Sequence, residues 1–278
     1  PHLNLHCHNA ESKVAGSNPY TRFRMRRLTV IALLLTATPL FAELDTRQEI
    51  IDWSVIAGAG AGAAWLNFTP PLTQKQVFSG QTDLSYHADT VPMGWVAAGC
   101  AASGLTIALV PNRDGWLDER TYIHVKGFAA AMSFNALSTE FAKFAVGRKR
   151  PSYENYPQER EGRRSFWSGH SSFSFAAATY LSLFVISDTG GDSAASAAAK
   201  IAVPLVLFST AAAVGVTRVR DHKHNVSDVV TGAVAGTLIS SAAFFWAERR
   251  CGKVTPNAGA SFDENGRPVY GASVTFSF

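Results

Sequence analysis

The sequence predicts an all-α protein in which six helices form a bundle. Six long apolar stretches follow one another along the 278 residues, and turn-forming residues separate them. Only 17% of the residues are charged, against about 25% in an ordinary soluble domain, and 47% are hydrophobic. This composition excludes a disordered chain, and the three cysteines have no metal-binding or disulfide spacing. The apolar stretches are residues 53–68, 91–110, 122–146, 171–186, 201–216 and 229–247.

The start of the chain differs from the rest. Residues 1–24 are polar and aperiodic, and we predict that they form a disordered upstream extension. Met25 opens a basic segment followed by a short apolar run, which predicts a signal peptide or a signal anchor over residues 25–42. The helical domain then covers residues 43–250, and residues 251–278 form a C-terminal tail.

The six stretches are apolar around the whole helix, which is typical of helices buried in a bundle or in a bilayer. They are rich in Ala, Gly and Ser, so helix backbones can approach closely. Turn chemistry ends the first four stretches, at Pro70, Pro111, Pro151 and Gly190. The first stretch is Gly-rich and, at about 16 residues, shorter than the ~20 residues that a bilayer needs, and we predict that it is a helix that does not span.

The tail ends in a segment with strand periodicity. Apolar and small or polar residues alternate over residues 269–278. A terminal Phe at the end of a strand is also seen in outer-membrane barrels, but a single strand cannot close a barrel. We therefore predict a short strand-like tail after the helices.

Three polar clusters lie at the ends of the predicted helices. Lys143 and Arg150 are two helical turns apart, so they can project from one face, and Pro151 stops the helix. Ser168, Gly169 and His170 come just before the fourth stretch, where backbone N–H groups at a helix start can bind an anion.

The third cluster opens the sixth stretch with Arg218, His224 and Asp228. The histidine and the aspartate are one helical turn apart, a spacing that suits a carboxylate orienting an imidazole for nucleophilic attack. Cationic side chains from two helix ends, with a helix N-terminus, could hold a dianion without a metal ion. His170 would then be the second histidine, available to protonate a departing alkoxide.

In order and spacing, the three clusters resemble the Lys-x6-Arg-Pro, Ser-Gly-His and Ser-Arg-x5-His-x3-Asp motifs of the type 2 phosphatidic acid phosphatase family. Within that family, residues 165–175 and 223–232 are most similar to lipid phosphate phosphatases. The resemblance implies the six-helix bundle shared with the haloperoxidases, and it makes residues 43–250 a phosphatase domain. Thr217 replaces the usual Ser of the third motif, and Trp167 replaces a common Pro beside the second.

The resemblance also implies a role for each motif residue. Lys143, Arg150 and Arg218 would bind the phosphate, and Ser168 with the Gly169 backbone N–H would complete the pocket. His224 would attack phosphorus to form a phosphohistidine, Asp228 would hold that histidine, and His170 would protonate the leaving alcohol. Neither a metal nor another cofactor is expected.

Four neighbouring residues receive other interpretations. Arg148 and Lys149 are predicted to be a solvated helix end, and Glu140 to be the ion-pair neighbour of Lys143. His222 is predicted to be a solvated loop residue. The net charge of +4 comes without a basic stripe carrying interleaved aromatic residues, so no nucleic-acid partner is expected.

The predicted function is a phosphoric monoester hydrolase acting on lipid phosphates such as phosphatidic acid-like or isoprenoid phosphates. The alternatives are a soluble periplasmic acid phosphatase, a vanadium-dependent haloperoxidase, or a membrane protein that binds or transports an anionic lipid. The predicted location is the bacterial inner membrane with a periplasm-facing site, which six crossings give if residues 25–42 span and residues 53–68 do not. A soluble periplasmic or outer-membrane-associated protein is the alternative location.

Overall fold

A computed structural model describes residues 46–72, 80–110, 118–155, 161–189, 193–252, 254–262 and 268–276. Within these residues it contains six helices and two strands, which confirms the predicted all-α bundle with a strand-like tail. The helices are α1 (Thr46–Phe68), α2 (Met93–Leu109), α3 (Glu119–Val146), α4 (Gly169–Asp188), α5 (Ala194–Arg220) and α6 (Val226–Arg250). The predicted extension 1–24 and signal segment 25–42 lie outside the described residues.

The chain divides into two units, Pro1–Glu49 and Ile50–Phe278. Only residues 46–49, the first turn of α1, are described in the first unit. The second unit holds the remainder of α1, the other five helices and the strands.

Most helices extend beyond their apolar stretches because polar residues cap them. The Asp118 carboxylate accepts a hydrogen bond from the Thr121 N–H at 2.7 Å, so α3 begins three residues before the apolar run. Ser193 caps α5 in the same way. Helix α1 contains 23 residues, so it is longer than the first apolar stretch predicted.

Helix α4 lies at the centre of the bundle and packs against α2, α3, α5 and α6. A cluster of buried aromatic and aliphatic side chains fills the space between these helices. Tyr180 and Phe244 pack edge to face with their ring centroids 5.5 Å apart, a favourable geometry for aromatic pairs. The largest members of the cluster are Ile107, Phe128, Tyr180, Phe184 and Phe244.

Helices α4 and α6 run parallel and in close contact. A Cβ atom added at Gly232 would lie 2.6 Å from the Ser168 carbonyl oxygen, and one added at Gly236 would overlap the Ser172 carbonyl. One turn further on, the Ser240 hydroxyl donates to the Ala176 carbonyl at 2.6 Å. The two helix N-termini therefore lie side by side at one end of the bundle.

The opposite ends of α3, α4 and α6 are joined by a buried ionic cluster. The Arg120 guanidinium donates to both carboxylate oxygens of Glu248, at 2.9 and 3.2 Å, and lies 3.4 Å from Asp188. His124 is fully buried beside the same Glu248 carboxylate. Paired charges of this kind fix how helices meet, because a buried charge left without its partner is strongly destabilising.

Two of the described helices, α5 and α6, are long and apolar enough to cross a membrane, and α2 is apolar but shorter. Only 11% of the most apolar window of α5 is buried. Large apolar side chains are exposed along this helix, including Ile201, Leu205 and Val206. Such a continuous apolar surface is unusual for a monomer in water.

The tail forms a two-stranded antiparallel hairpin. Strand β1 (Val254–Phe262) pairs with β2 (Pro268–Phe276), with Val254 opposite Phe276. The predicted strand corresponds to β2, while β1 was not predicted.

The close approach of α4 and α6 predicts the effect of adding one methyl group. We expect Gly236→Ala to lower the free energy of unfolding by about 1–3 kcal/mol, because the new Cβ overlaps backbone that cannot move away. The matched control is Gly58→Ala in α1, where nothing lies within 4 Å, and where better helix propensity should add up to about 1 kcal/mol. Thermal unfolding of both purified variants is the measurement, and equal melting temperatures would contradict the packing described above.

Candidate active site

The three polar clusters of the sequence come together at the N-termini of α4 and α6. Lys143 lies in the last turn of α3, Arg218 in the last turn of α5, and His224 in the loop between α5 and α6. The positive charges of Lys143, Arg150 and Arg218 act on both His224 and His170. The fold therefore places three cations and two histidines in one site.

His224 is buried, and one hydrogen bond fixes its tautomer. Its Nδ1 lies 2.7 Å from the backbone carbonyl oxygen of Ser165. A carbonyl oxygen only accepts hydrogen bonds, so Nδ1 must carry the proton and donate it. In the neutral ring, Nε2 then carries the lone pair, and it is the nitrogen that can act as a nucleophile.

The surroundings of His224 also keep its ring neutral. Burial is the largest cause of a pKa well below the usual range, followed by the positive charges of Arg150, Arg218 and Lys143. The hydrogen bond to the Ser165 carbonyl acts in the opposite direction and is weaker. A neutral imidazole is the nucleophilic form of histidine, so burial and charge favour that form.

Asp228 does not contact His224 in the way that the sequence predicts. Its Oδ2 lies 3.9 Å from Nδ1, because the Ser165 carbonyl takes the position of direct acceptor. The fully buried carboxylate accepts hydrogen bonds from the Ser165 hydroxyl at 2.6 Å, from Arg148 at 2.6 Å and from the Asn225 N–H at 3.0 Å. Asp228 therefore positions Ser165, and Ser165 in turn positions His224.

The prediction that Arg148 is a solvated residue is wrong. Its side chain is only 6% exposed, and Nη1 donates to both the Ser227 hydroxyl and the Asp228 carboxylate. The next residue, Lys149, lies at the surface, 2.7 Å from Glu154 and over the ring of Tyr153. The chain after α3 therefore places one cation inside the site and the next one outside.

Each of the three cations proposed to bind phosphate is paired with a carboxylate. Lys143 lies 2.7 Å from Glu140, which confirms the predicted ion pair. Arg150 lies 3.2 Å from Glu161, and Arg218 lies 3.1 Å from Asp89. Of these three carboxylates, only Glu140 was predicted from the sequence. Asp89 and Glu161 were not.

Ser168, Gly169 and His170 form the first turn of α4 and its cap. The Ser168 oxygen accepts from the Ser171 N–H at 3.4 Å, and the Ser168 N–H donates to the Asp228 carbonyl at 3.0 Å. A Cβ atom at Gly169 would lie 3.7 Å from the Lys143 ammonium nitrogen, so glycine leaves this space open. The start of α4 is thus held against α6 with its glycine facing Lys143.

Some polar side-chain atoms in this site are buried without a hydrogen bond to the described part of the chain, and two of them are on His170 and Arg218. The His170 Nε2 and the Arg218 Nε make no hydrogen bond to any residue that the structure describes. Leaving such a group without a partner costs about 1–3 kcal/mol, so buried polar atoms of this kind usually have a functional explanation.

The two departures from the family motifs have structural partners. The Thr217 hydroxyl donates to the Val214 carbonyl of its own helix at 2.8 Å, so it serves as a helix contact. The Trp167 indole N–H donates to the Thr139 hydroxyl at 2.9 Å. Neither substitution disturbs the His224 hydrogen bond.

Several site residues were not assigned from the sequence. Ser165 and Asp89 are single polar residues in loops, and they lie far along the chain from the residues that they contact. Arg164 is almost fully buried and pairs with Glu140. The one feature of the sequence that could have indicated a role for Ser165 is its position three residues before Ser168.

Among the residues described, no group of three or more His, Cys, Asp or Glu side chains is placed to hold a metal ion.

Comparisons with known proteins place these clusters in one family. The family model of the PAP2 superfamily matches residues 125–251, which include all three clusters. A crystal structure of a transmembrane PAP2 type phosphatidylglycerolphosphate phosphatase from Bacillus subtilis matches with 19% identity and a TM-score of 0.38, covering 80% of this chain and 96% of that one.

Two relatives match over most of both chains. A PA-phosphatase related-family protein of Dictyostelium discoideum is 30% identical over 227 residues, which are 72% of this chain and 80% of that protein. A probable lipid phosphate phosphatase 4 of Arabidopsis thaliana is 26% identical over 222 residues, 70% of this chain and 71% of that protein. The motifs, the family match and the extent of these alignments agree, and the chain belongs to the PAP2 superfamily.

Proposed function

We propose that the protein hydrolyses the phosphomonoesters of lipids at a membrane, through a phosphohistidine intermediate formed on His224. Its class is that of the phosphoric monoester hydrolases, in keeping with its superfamily. The observation that carries the proposal is the Ser165 carbonyl at 2.7 Å from Nδ1 of a buried His224. This bond makes Nε2 the nucleophilic nitrogen, in a site where three cations surround it.

In the first step, Lys143, Arg150 and Arg218 bind the nonbridging oxygens of the phosphate. The Nε2 lone pair of His224 attacks phosphorus, an N–P bond forms, and the bond from phosphorus to the ester oxygen breaks. Burial and the neighbouring cations lower the pKa of His170 to about 4, so His170 takes up its proton when the bound phosphate dianion offsets those charges. It gives this proton to the departing oxygen, and the alcohol leaves neutral. The Nδ1–H bond to Ser165 stabilises the positive ring that results.

In the second step, a water molecule attacks the phosphohistidine. His170, now neutral, accepts the proton of that water, an O–P bond forms, and the N–P bond breaks with its electrons returning to Nε2. Inorganic phosphate leaves and the starting protonation states are restored. Both steps use the same cations, which stabilise the charge on the transferring phosphoryl group.

The site composition supports a phosphate dianion as its ligand. The buried Arg218 Nε and His170 Nε2 would both gain partners from a phosphate in this position. The N–H groups at the start of α4, next to Ser168 and Gly169, provide further donors for an anion. Because side chains supply the positive charge, we expect phosphate release to continue in excess chelator.

The apolar surface of the bundle supports a lipid substrate. Helices α5 and α6 are long enough to span a bilayer, and α5 exposes its apolar side chains along its length. The relatives described above are named a probable lipid phosphate phosphatase and a PA-phosphatase related-family protein. We propose phosphatidic acid-like or isoprenoid phosphates as substrates, with the protein in the bacterial inner membrane and its site facing the periplasm.

The proposal predicts that His224 is indispensable. We expect His224→Ala to lower phosphate release from phosphatidic acid in detergent micelles by about a thousandfold or more, since no other group replaces the nucleophile. The matched control is His222→Asn, two residues earlier, where the backbone has a φ of 54° that Asn tolerates. The control should keep its activity, and comparable activity in His224→Ala would rule out the proposed intermediate.

Arg148 should be a positioning residue that acts through Asp228. We expect Arg148→Met to lower kcat by about ten- to a hundredfold with a small change in KM, because the Asp228 carboxylate loses its charged donor. Arg148→Lys should recover part of this loss. Lys149→Met is the matched control, because its side chain lies at the surface, and it should behave like the unchanged protein. A loss confined to KM would instead place Arg148 in the phosphate pocket.

The ionisation of His224 can be measured directly. Because burial and the charges of Arg150, Arg218 and Lys143 lower its pKa well below the usual range, we expect the ring to stay neutral at pH values where an ordinary histidine, with a pKa of about 6.5, has gained its proton. Nitrogen NMR of the histidine rings, with His224→Gln to assign the signal, provides the measurement. A titration midpoint at or above the ordinary value would contradict the described electrostatics.

A further inference from the structure

An apolar groove lies between α2, α4 and α5. Its volume is about 300 Å³, at the lower end of the range for small-molecule sites. The walls are formed mainly by small and apolar side chains, with one thiol. The lining includes Trp95, Gly99, Cys100, Ala177, Leu207 and Ala211.

All three walls of this groove begin beside the candidate active site. The α2 wall starts at Val91, two residues after Asp89, which pairs with Arg218. The α4 wall starts at Ser174, one helical turn after His170. The α5 wall ends at Val214, one turn before Arg218. One end of the groove therefore lies about one helical turn from residues of the candidate active site.

The extent of the groove suits an elongated ligand. Along α2 it reaches from Trp95 to Ser103, which corresponds to about 12 Å at the rise of an α-helix, and Val91, just before this helix, extends it further. A molecule lying here with one end among Lys143, Arg150 and Arg218 would have an anionic head and an apolar tail. That description fits a lipid phosphate.

We propose that this groove binds one hydrocarbon chain of the lipid whose phosphate the protein cleaves, an inference that rests on the proposed function. The groove then determines the preference for lipid esters over water-soluble ones, because the chain is held while its phosphate contacts His224. Binding energy from the chain is available to position the reacting phosphate. The small volume admits one chain rather than two.

A second groove of larger volume lies elsewhere and serves as a comparison. It is about 490 Å³ and is lined by residues that include Asp52, Phe134, Ala243 and Trp246. These residues belong to α1, the middle of α3 and the C-terminal half of α6, whereas the candidate active site is at the N-terminus of α6. The larger groove therefore does not reach the phosphate-binding residues.

Two glycines of α2 provide a matched test. Gly99 lines the groove and Gly94 does not, and a Cβ atom added at either position meets nothing within 4 Å. Gly99→Leu and Gly94→Leu therefore make the same change in the same helix, but only the first fills the groove. The measurement is kcat/KM for long-chain phosphatidic acid in micelles divided by kcat/KM for p-nitrophenyl phosphate.

We expect Gly99→Leu to lower this ratio by about tenfold or more, a typical effect of filling an apolar pocket, while Gly94→Leu keeps it within about twofold. A ratio unchanged in Gly99→Leu, or lowered equally in both variants, overturns the inference. A wild-type protein that releases phosphate from neither ester refutes the proposed function instead.

Cys100 gives a second measurement that does not depend on catalysis. In a Cys7→Ser, Cys251→Ser background it is the one remaining thiol of the three in the sequence. A long-chain alkylphosphonate, which has no ester bond to cleave, should slow its reaction with N-ethylmaleimide severalfold, whereas methylphosphonate should not. Protection supports the groove even where no phosphate is released. Equal labelling rates with both phosphonates overturn it.

Discussion

The arrangement of the site depends on the two hydrogen bonds of Ser165. Its backbone carbonyl accepts from His224, and its hydroxyl donates to the buried carboxylate of Asp228. The carboxylate in turn requires Arg148 and Asn225, because an ionised group without partners is very costly to bury. One short segment before α4 therefore sets the proton position of the histidine and the direction of its reactive nitrogen.

The positive charges around this histidine are balanced rather than free. Lys143, Arg150 and Arg218 each have a carboxylate within ion-pair distance. Such pairing holds three long side chains in fixed positions before any anion arrives, and it limits the repulsion between like charges in a buried site. Burial and the same cations keep the His224 ring neutral, so the arrangement that we propose to bind an anion also favours nucleophilicity.

Residues that share a spacing could be predicted from the sequence, and residues that meet only through the fold could not. The apolar stretches predicted all six helices, and the clusters around Lys143, His170 and His224 predicted which helix ends come together. The spacing of His224 and Asp228 suggested direct contact. In the structure, His224 instead donates its hydrogen bond to the backbone carbonyl of Ser165, which comes from a loop in another part of the chain. Every residue has a backbone carbonyl, so the residue types do not indicate which carbonyl accepts the hydrogen bond from His224.

The same limit applies to charge and to the tail. Arg148 and Lys149 are adjacent and chemically alike, and only the turn after α3 decides that the first points inward. Strand β1 has few β-branched or aromatic residues, so its pairing with β2 was not evident from its composition.

The parallel packing of α4 and α6 has an energetic consequence. The two N-termini carry partial positive charges of about half an elementary charge each, and side-by-side dipoles of the same direction repel. Glycines such as Gly236, which lies against Ser172, nevertheless allow these helices to approach closely. The phosphate dianion that we propose to bind between the helix starts would screen this repulsion, so occupancy and folding would be thermodynamically linked. The bundle would then be most stable with its ligand in place, and product release would leave it in a less stable state.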